Sequence, residues 1–131
     1  MLPLRLRALW LTFGALGVGL AFLLSLWPHG APGLESIPDK IQHAVGYAIV
    51  VVWFVGLVHP RHYRWVFLGA VVLGGLIEIL QSFTETRQGD WADEGADALG
   101  ALVGLLAAYG GLGGWMPWVE RRLGFPPDSD A

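Results

Sequence analysis

The chain contains no cysteine, which removes disulfides, thiolate metal sites and cysteine nucleophiles together. Charge is also scarce. Eight Lys/Arg and eleven Asp/Glu make 15% of 131 residues, against roughly 25% in an ordinary soluble domain. A formal net charge of −3 with no basic run leaves no footprint for nucleic acid. Polar sequence is nowhere long enough for a soluble domain, its longest stretch being residues 115–131. A hydrophobic content of 54% excludes disorder.

What is present is apolar sequence in four blocks, residues 8–27, 41–58, 65–83 and 98–114. Of all the charged residues, only Glu78 lies inside them. A soluble fold spreads charge over the solvent face of every element, so this segregation points to lipid. Each block approaches the ~20 residues that cross a ~30 Å hydrocarbon layer as a helix. Arg5 and Arg7 before the first block look like the start of a signal peptide. That block exceeds the usual ~7–15 apolar residues, and no small-residue cleavage site follows Trp27, so it reads as a retained helix. The expected fold is all-α: one domain over residues 1–131, a polytopic membrane protein with a four-transmembrane-helix bundle. Its helices span about residues 8–27, 41–58, 65–83 and 93–112. Asp39 with Gln42 forms a capping box for the second, and Asp90 opens the fourth. Residues 115–125 mix tryptophan with Glu120, Arg121 and Arg122, which suits a short C-terminal interfacial helix. Residues 126–131 read as a frayed tail.

Lysine and arginine in the short connections set the orientation. With the N-terminus inside, the inner segments hold Arg5, Arg7, Arg61, Arg64, Arg121 and Arg122, and the outer ones only Lys40 and Arg87. Both termini are expected on the cytoplasmic side of the inner membrane. Tryptophans sit near the expected boundaries, except Trp53 at mid-membrane.

This topology brings the polar residues together. Asp39, Lys40, His43 and Tyr47 fall at the outer end of the second helix. Glu78, Gln81, Glu85 and Arg87 lie at the same level where the third exits outward, and Asp90, Asp93, Glu94 and Asp97 at the start of the fourth. At 100° per residue, Asp39, His43, Gly46 and Val50 share one face. Glu78, Gln81 and Gly74 share another, and Asp93, Asp97, Gly100 and Gly104 a third. Small residues at every fourth position let helices approach closely in lipid, so the polar faces point into the bundle. Plainer roles stand beside this one. Asp39 and Asp90 suit simple N-caps, Tyr47 suits packing, Lys40 suits snorkelling to the surface, and Glu94 reads as solvated. His43 and Glu78 are harder to dismiss, because a carboxylate in hydrocarbon costs at least ~2.5 kcal/mol and is rarely kept without a partner.

In order, Asp39-Lys40-x-x-His43-x-x-x-Tyr47, Glu78-x-x-Gln81 and Arg87-x-x-Asp90-x-x-Asp93-x-x-x-Asp97-x-x-Gly100-x-x-x-Gly104 resemble the VanZ-like family of small integral membrane proteins. The resemblance covers residues 39–104 and departs at Asp97, where the family usually carries asparagine. It implies a place in the cell envelope and a link to resistance against the glycopeptide antibiotic teicoplanin, but no reaction.

The residues themselves support several functions. One is binding or modification of a phosphate-bearing envelope lipid. Lys40 and Arg87 would then hold the phosphate beside two helix N-termini. His43 would be general base or nucleophile, oriented by Asp39, Asp93 or Glu78. On this reading His43, Glu78 and Asp93 are the catalytic candidates, and Asp39, Lys40, Tyr47, Gln81, Arg87, Asp90 and Asp97 the binding ones. The objection is charge: Glu35, Asp39, Glu85, Asp90, Asp93, Glu94 and Asp97 outnumber Lys40 and Arg87 outside. A divalent metal on His43, Glu78 and Asp93 or Asp97 answers that objection, with Mg²⁺, Ca²⁺, Mn²⁺ or Zn²⁺ compatible. Transport fits poorly, since no ionisable residue continues inward. A non-catalytic accessory protein is the remaining reading. Substrate, turnover and oligomeric state stay open.

Overall fold

A computed structural model describes residues 1–27, 33–34, 36–84 and 90–125. Glu35, Glu85, Arg87 and the expected tail at 126–131 lie outside the described residues, as does most of each expected outer loop. Among the described residues the fold is all-helical. Helix α1 spans Arg7–Ser25, α2 Asp39–Val55, α3 Tyr63–Gln81, α4 Trp91–Tyr109 and α5 Trp115–Arg122, with 3-10 turns at Pro60–His62 and Leu112–Gly114.

The four long helices begin one or two residues before the expected helix spans and end two or three residues short of them. Polar residues such as Asp39 and Lys40 belong to the first helical turn although they lie outside the apolar run. Gly56 and Gly110 follow the last helical residues of α2 and α4. The expected capping box is corrected: Pro38 is the N-cap, Asp39 is the first helical residue, and no side chain caps this end. The Gln42 amide instead donates to the carbonyls of Leu34 (3.1 Å) and Ile37 (2.8 Å), holding the incoming chain. Asp90 behaves as expected, its carboxylate accepting from the Ala92 N–H at 2.8 Å.

Two elements are long and apolar enough to cross a membrane, α1 and the continuous stretch Pro60–Gln81. A third span requires α4 together with Leu112–Arg122, bent by 79° at the intervening glycines. Gly111 carries the turn with φ +122°, a conformation that side chains disfavour. With 17 residues, α2 covers about 26 Å. The four-span bundle expected from the sequence is therefore matched by two spans, or three with the bent pair, within an all-helical protein built for association with a membrane.

Packing is tightest between α2 and α4. A Cβ on Gly100 would run into the Ala44 carbonyl oxygen, and one on Gly104 would lie 2.7 Å from the Ala48 carbonyl oxygen. The expected small-residue stripe is thus where two backbones meet. In contrast, α1 buries only Gly14. Outward faces are apolar on every long helix: Leu16 and Leu20 on α1, Ile41, Val45 and Ile49 on α2, Val72 and Leu76 on α3, and Val103 and Leu106 on α4 are all exposed.

At the end formed by the chain termini, Trp10, Trp53 and Trp115 stand edge to face, their centroids 5.3–5.8 Å apart. Trp53, the mid-membrane exception, thereby finds its place, donating from Nε1 to the Trp10 carbonyl at 3.2 Å. Glu120 is buried at 2% exposure and accepts from the N–H groups of Arg5 and Leu6 and from Trp10 Nε1, each at 2.9 Å. The short last helix therefore has an inward face of Met116 and Glu120 and an outward one of Trp118, Arg121 and Arg122.

Candidate functional site

The start of α2, the end of α3 and the start of α4 meet at the opposite end. His43, one turn into α2, places Nδ1 2.8 Å from Asp97 Oδ1 on α4. Glu78, near the end of α3, accepts from the Asp90 backbone N–H through Oε2 at 2.7 Å. The backbone group that opens α4 is thus satisfied by a carboxylate from the neighbouring helix. His43, Glu78 and Asp97 each offer a ligating atom within 4.8 Å of the others, and Asp39, His43 and Asp93 do the same. His43 belongs to both groups; of its expected partners, Glu78 falls in the buried group with Asp97 and Asp93 in the outer one with Asp39.

Burial separates two layers. Glu78 and Asp97 are 3% and 1% exposed, whereas Asp39, Lys40 and Asp90 are exposed. In the outer layer the Lys40 ammonium bridges Asp90 Oδ2 (3.0 Å) and Asp93 Oδ1 (2.8 Å). The bond from Ala92 and then that from Lys40 hold the Asp90 carboxyl below its ordinary range. The Lys40 ammonium, expected to hold a phosphate, is here matched by two acids. The other expected phosphate clamp, Arg87, lies outside the described residues.

Two further residues differ from expectation. Gln81 is buried, but its amide donates to the Ser25 carbonyl at 2.7 Å, tying α3 to the end of α1 instead of joining the cluster. Glu94 is only partly solvated. Its Oε2 is buried without a hydrogen-bond partner, against the surface that Gly74 leaves bare. A Cβ on Gly74 would stand 2.6 Å from Glu94 Oε2 and 2.9 Å from Asp97 Oδ2. The sequence signal was there: Glu94 and Asp97 are three residues apart and so share a helix face, opposite Gly74-Gly75.

The inner layer is left polar and unsatisfied. Tyr47 Oη, Glu78 Oε1, Glu94 Oε2 and Asp97 Oδ2 are all buried with no hydrogen-bond partner among the described residues. Beside this layer, a partly enclosed cleft of about 150 Å³ runs between α1, α2 and α3. Asp39, Gln42, His43 and Tyr47 line its polar part; Val50, Phe22, Leu73 and Ile77 line its apolar part. From Asp39 to Val50 it follows α2 for about 17 Å. Gly46 lines the cleft, and a Cβ there would meet nothing within 4 Å. The loose seating of α1 leaves this space.

Fold and site together define a membrane-associated helical protein with a buried cluster of one imidazole and several carboxylates beside an apolar cleft. No protein-family profile, curated protein or solved structure matches the chain.

Proposed function

We propose that this chain is a VanZ-like protein of the cytoplasmic membrane that binds an envelope lipid, its acyl chain in the cleft and its head group at His43. The observation that carries the reading is continuity: one cleft has apolar walls on three helices and a polar end at Asp39 and His43. An amphipathic ligand matches that division, and a purely aqueous solute does not. The exposed apolar faces of α2 and α4 support all four long helices as spans, with α5 at the interface. The ordered motif supports the cell envelope as the setting, and a link to teicoplanin resistance rests on that resemblance alone.

Filling the cleft at Gly46 tests the reading. Gly46→Phe is expected to leave folding intact, since the position is open and leaving glycine favours the helix. Retention of phosphatidylglycerol, cardiolipin or undecaprenyl phosphate in native mass spectrometry is expected to fall about tenfold, or ~1.4 kcal/mol. Equal retention of phosphatidylcholine by the wild type, or unchanged retention by the variant, overturns the proposal.

Sidedness is tested separately. With six basic residues in the inner segments and two in the outer, Ser36→Cys is expected to label with an impermeant maleimide on intact cells and His62→Cys only after lysis. The opposite pattern inverts the topology and removes the outer-leaflet site.

A further inference from the structure

The inner layer carries more negative charge than its described neighbours balance. Glu78, Glu94 and Asp97 bring three carboxyl groups, each with an oxygen that is buried and has no hydrogen-bond partner among the described residues. His43 supplies at most one positive charge, and the Lys40 ammonium is bound to Asp90 and Asp93 in the outer layer. Buried carboxylates at this depth persist only with a counter-charge or a proton.

Geometry favours the counter-charge. His43, Glu78 and Asp97 come from three different helices, yet their ligating atoms lie within 4.8 Å of one another. A four-coordinate ion with ligand bonds of ~2.0–2.2 Å sets its ligands about 3.4 Å apart, so the 2.8 Å His43–Asp97 pair opens slightly and wider pairs close in, adjustments within reach of small side-chain rotations. Gly74 keeps the neighbouring space open, because a Cβ there would crowd both Glu94 Oε2 and Asp97 Oδ2. The alternative triad of Asp39, His43 and Asp93 is weaker, since Asp93 is already neutralised by Lys40 and Asp39 is exposed.

We propose that His43, Glu78 and Asp97 bind a divalent transition-metal cation, Mn²⁺ or Zn²⁺, where α2, α3 and α4 meet. One imidazole nitrogen with carboxylate oxygens suits these ions better than a soft metal, which would want thiolates. Glu94 and the Tyr47 hydroxyl stand at the edge of the site and complete its polar wall. The ion replaces the His43–Asp97 hydrogen bond with two metal–ligand bonds and displaces any proton those groups carry. It would also supply the positive charge that Lys40 does not offer to a head group. The metal site rests on the buried layer, not on the lipid reading.

The test uses the full chain purified in detergent by a tag without histidine, stripped with EDTA and loaded separately with Mn²⁺ or Zn²⁺. After desalting, mass spectrometry of the metal is expected to find one ion per chain, with a raised thermal midpoint. Glu78→Gln and Asp97→Asn keep size and shape, and each is expected to weaken binding at least ~tenfold, as loss of a ligand demands. Gly69→Ala, where a Cβ meets nothing within 4 Å, is expected to bind as the wild type does. Should an amide variant fail to fold, the Mn²⁺-loaded wild type still decides: its electron spin echo is expected to show nitrogen coupling from one imidazole. Absence of both ions from the wild type, absence of that coupling, or full retention by folded Glu78→Gln and Asp97→Asn overturns the site. Native mass spectrometry of lipid on the same stripped sample keeps the two proposals apart, because lipid retained without any metal binding sinks only the cation.

Discussion

Gly100→Ala is expected to be among the most damaging single substitutions in the chain, although it adds one methyl group. That methyl would be driven into the Ala44 carbonyl oxygen, and backbone cannot turn aside as a flexible side chain can. Relief requires α2 and α4 to separate along the seam that brings Asp97 to His43, 2.8 Å apart. The expected loss is about 3 kcal/mol, the upper part of the range for overpacking. Gly69→Ala is the control, since a Cβ there meets nothing within 4 Å; helix propensity predicts equal or slightly greater stability. Thermal midpoints of both variants in the same detergent check the pair. A Gly100→Ala midpoint equal to that of Gly69→Ala would show that the contact is not rigid. The wild-type seam binds the site to the fold, so Gly100→Ala is also expected to weaken whatever binds at His43.

The second large effect is expected at the other end of the bundle. Glu120→Ala removes the acceptor for two backbone N–H groups and the Trp10 indole. Each buried donor left without a partner costs about 1–3 kcal/mol, and the three are not additive. A total near 3 kcal/mol is expected. Glu120→Gln keeps one carbonyl oxygen but replaces the other acceptor with an amide nitrogen, so it is expected to fall between wild type and alanine. Thermal unfolding orders the three proteins, and hydrogen exchange at Arg5 and Leu6 reports the cap directly. Wild-type protection of those two amides in Glu120→Ala would remove the cap as the cause.

Much of the architecture was legible because lipid sorts residues so sharply. Segregated charge marked the four long helices, and helical phase marked the inward faces of Asp93, Asp97, Gly100 and Gly104, all of which are buried. Boundaries were less legible, since hydropathy tracks the hydrocarbon layer and the helix extends beyond it through Asp39, Lys40 and Trp91. The cluster itself was visible as three polar helix ends at one depth. What phase could not supply was partner choice. Lys40 has two acids in reach and is spent on them, Gln81 turns to a carbonyl of α1, and Glu94 is drawn inward by the room beside Gly74. These outcomes depend on distances between helices that are far apart in sequence, which no local spacing encodes. Glu120 was hidden for the same reason. On a short helix with two arginines it looks like one more surface charge, and only the fold brings it to the start of the chain.

That last contact has a consequence in time. Glu120 lies 114–115 residues beyond the N–H groups it serves, so α1 is made long before the carboxylate that holds the amides just ahead of it has been translated. Domains generally organise from the N-terminus as the nascent chain emerges, yet here the first helix is the last to be completed. During synthesis the amides of Arg5 and Leu6 must rely on water or head groups, and they trade those for a carboxylate only once Glu120 has been translated. The segment around Glu120 then closes on residues 5–10 like a clasp, with Trp10, Trp53 and Trp115 packed beside it. A chain released before residue 120 keeps its hydrophobic helices and the bond from Leu2 N–H to the Leu57 carbonyl, but lacks the carboxylate that holds Arg5 and Leu6.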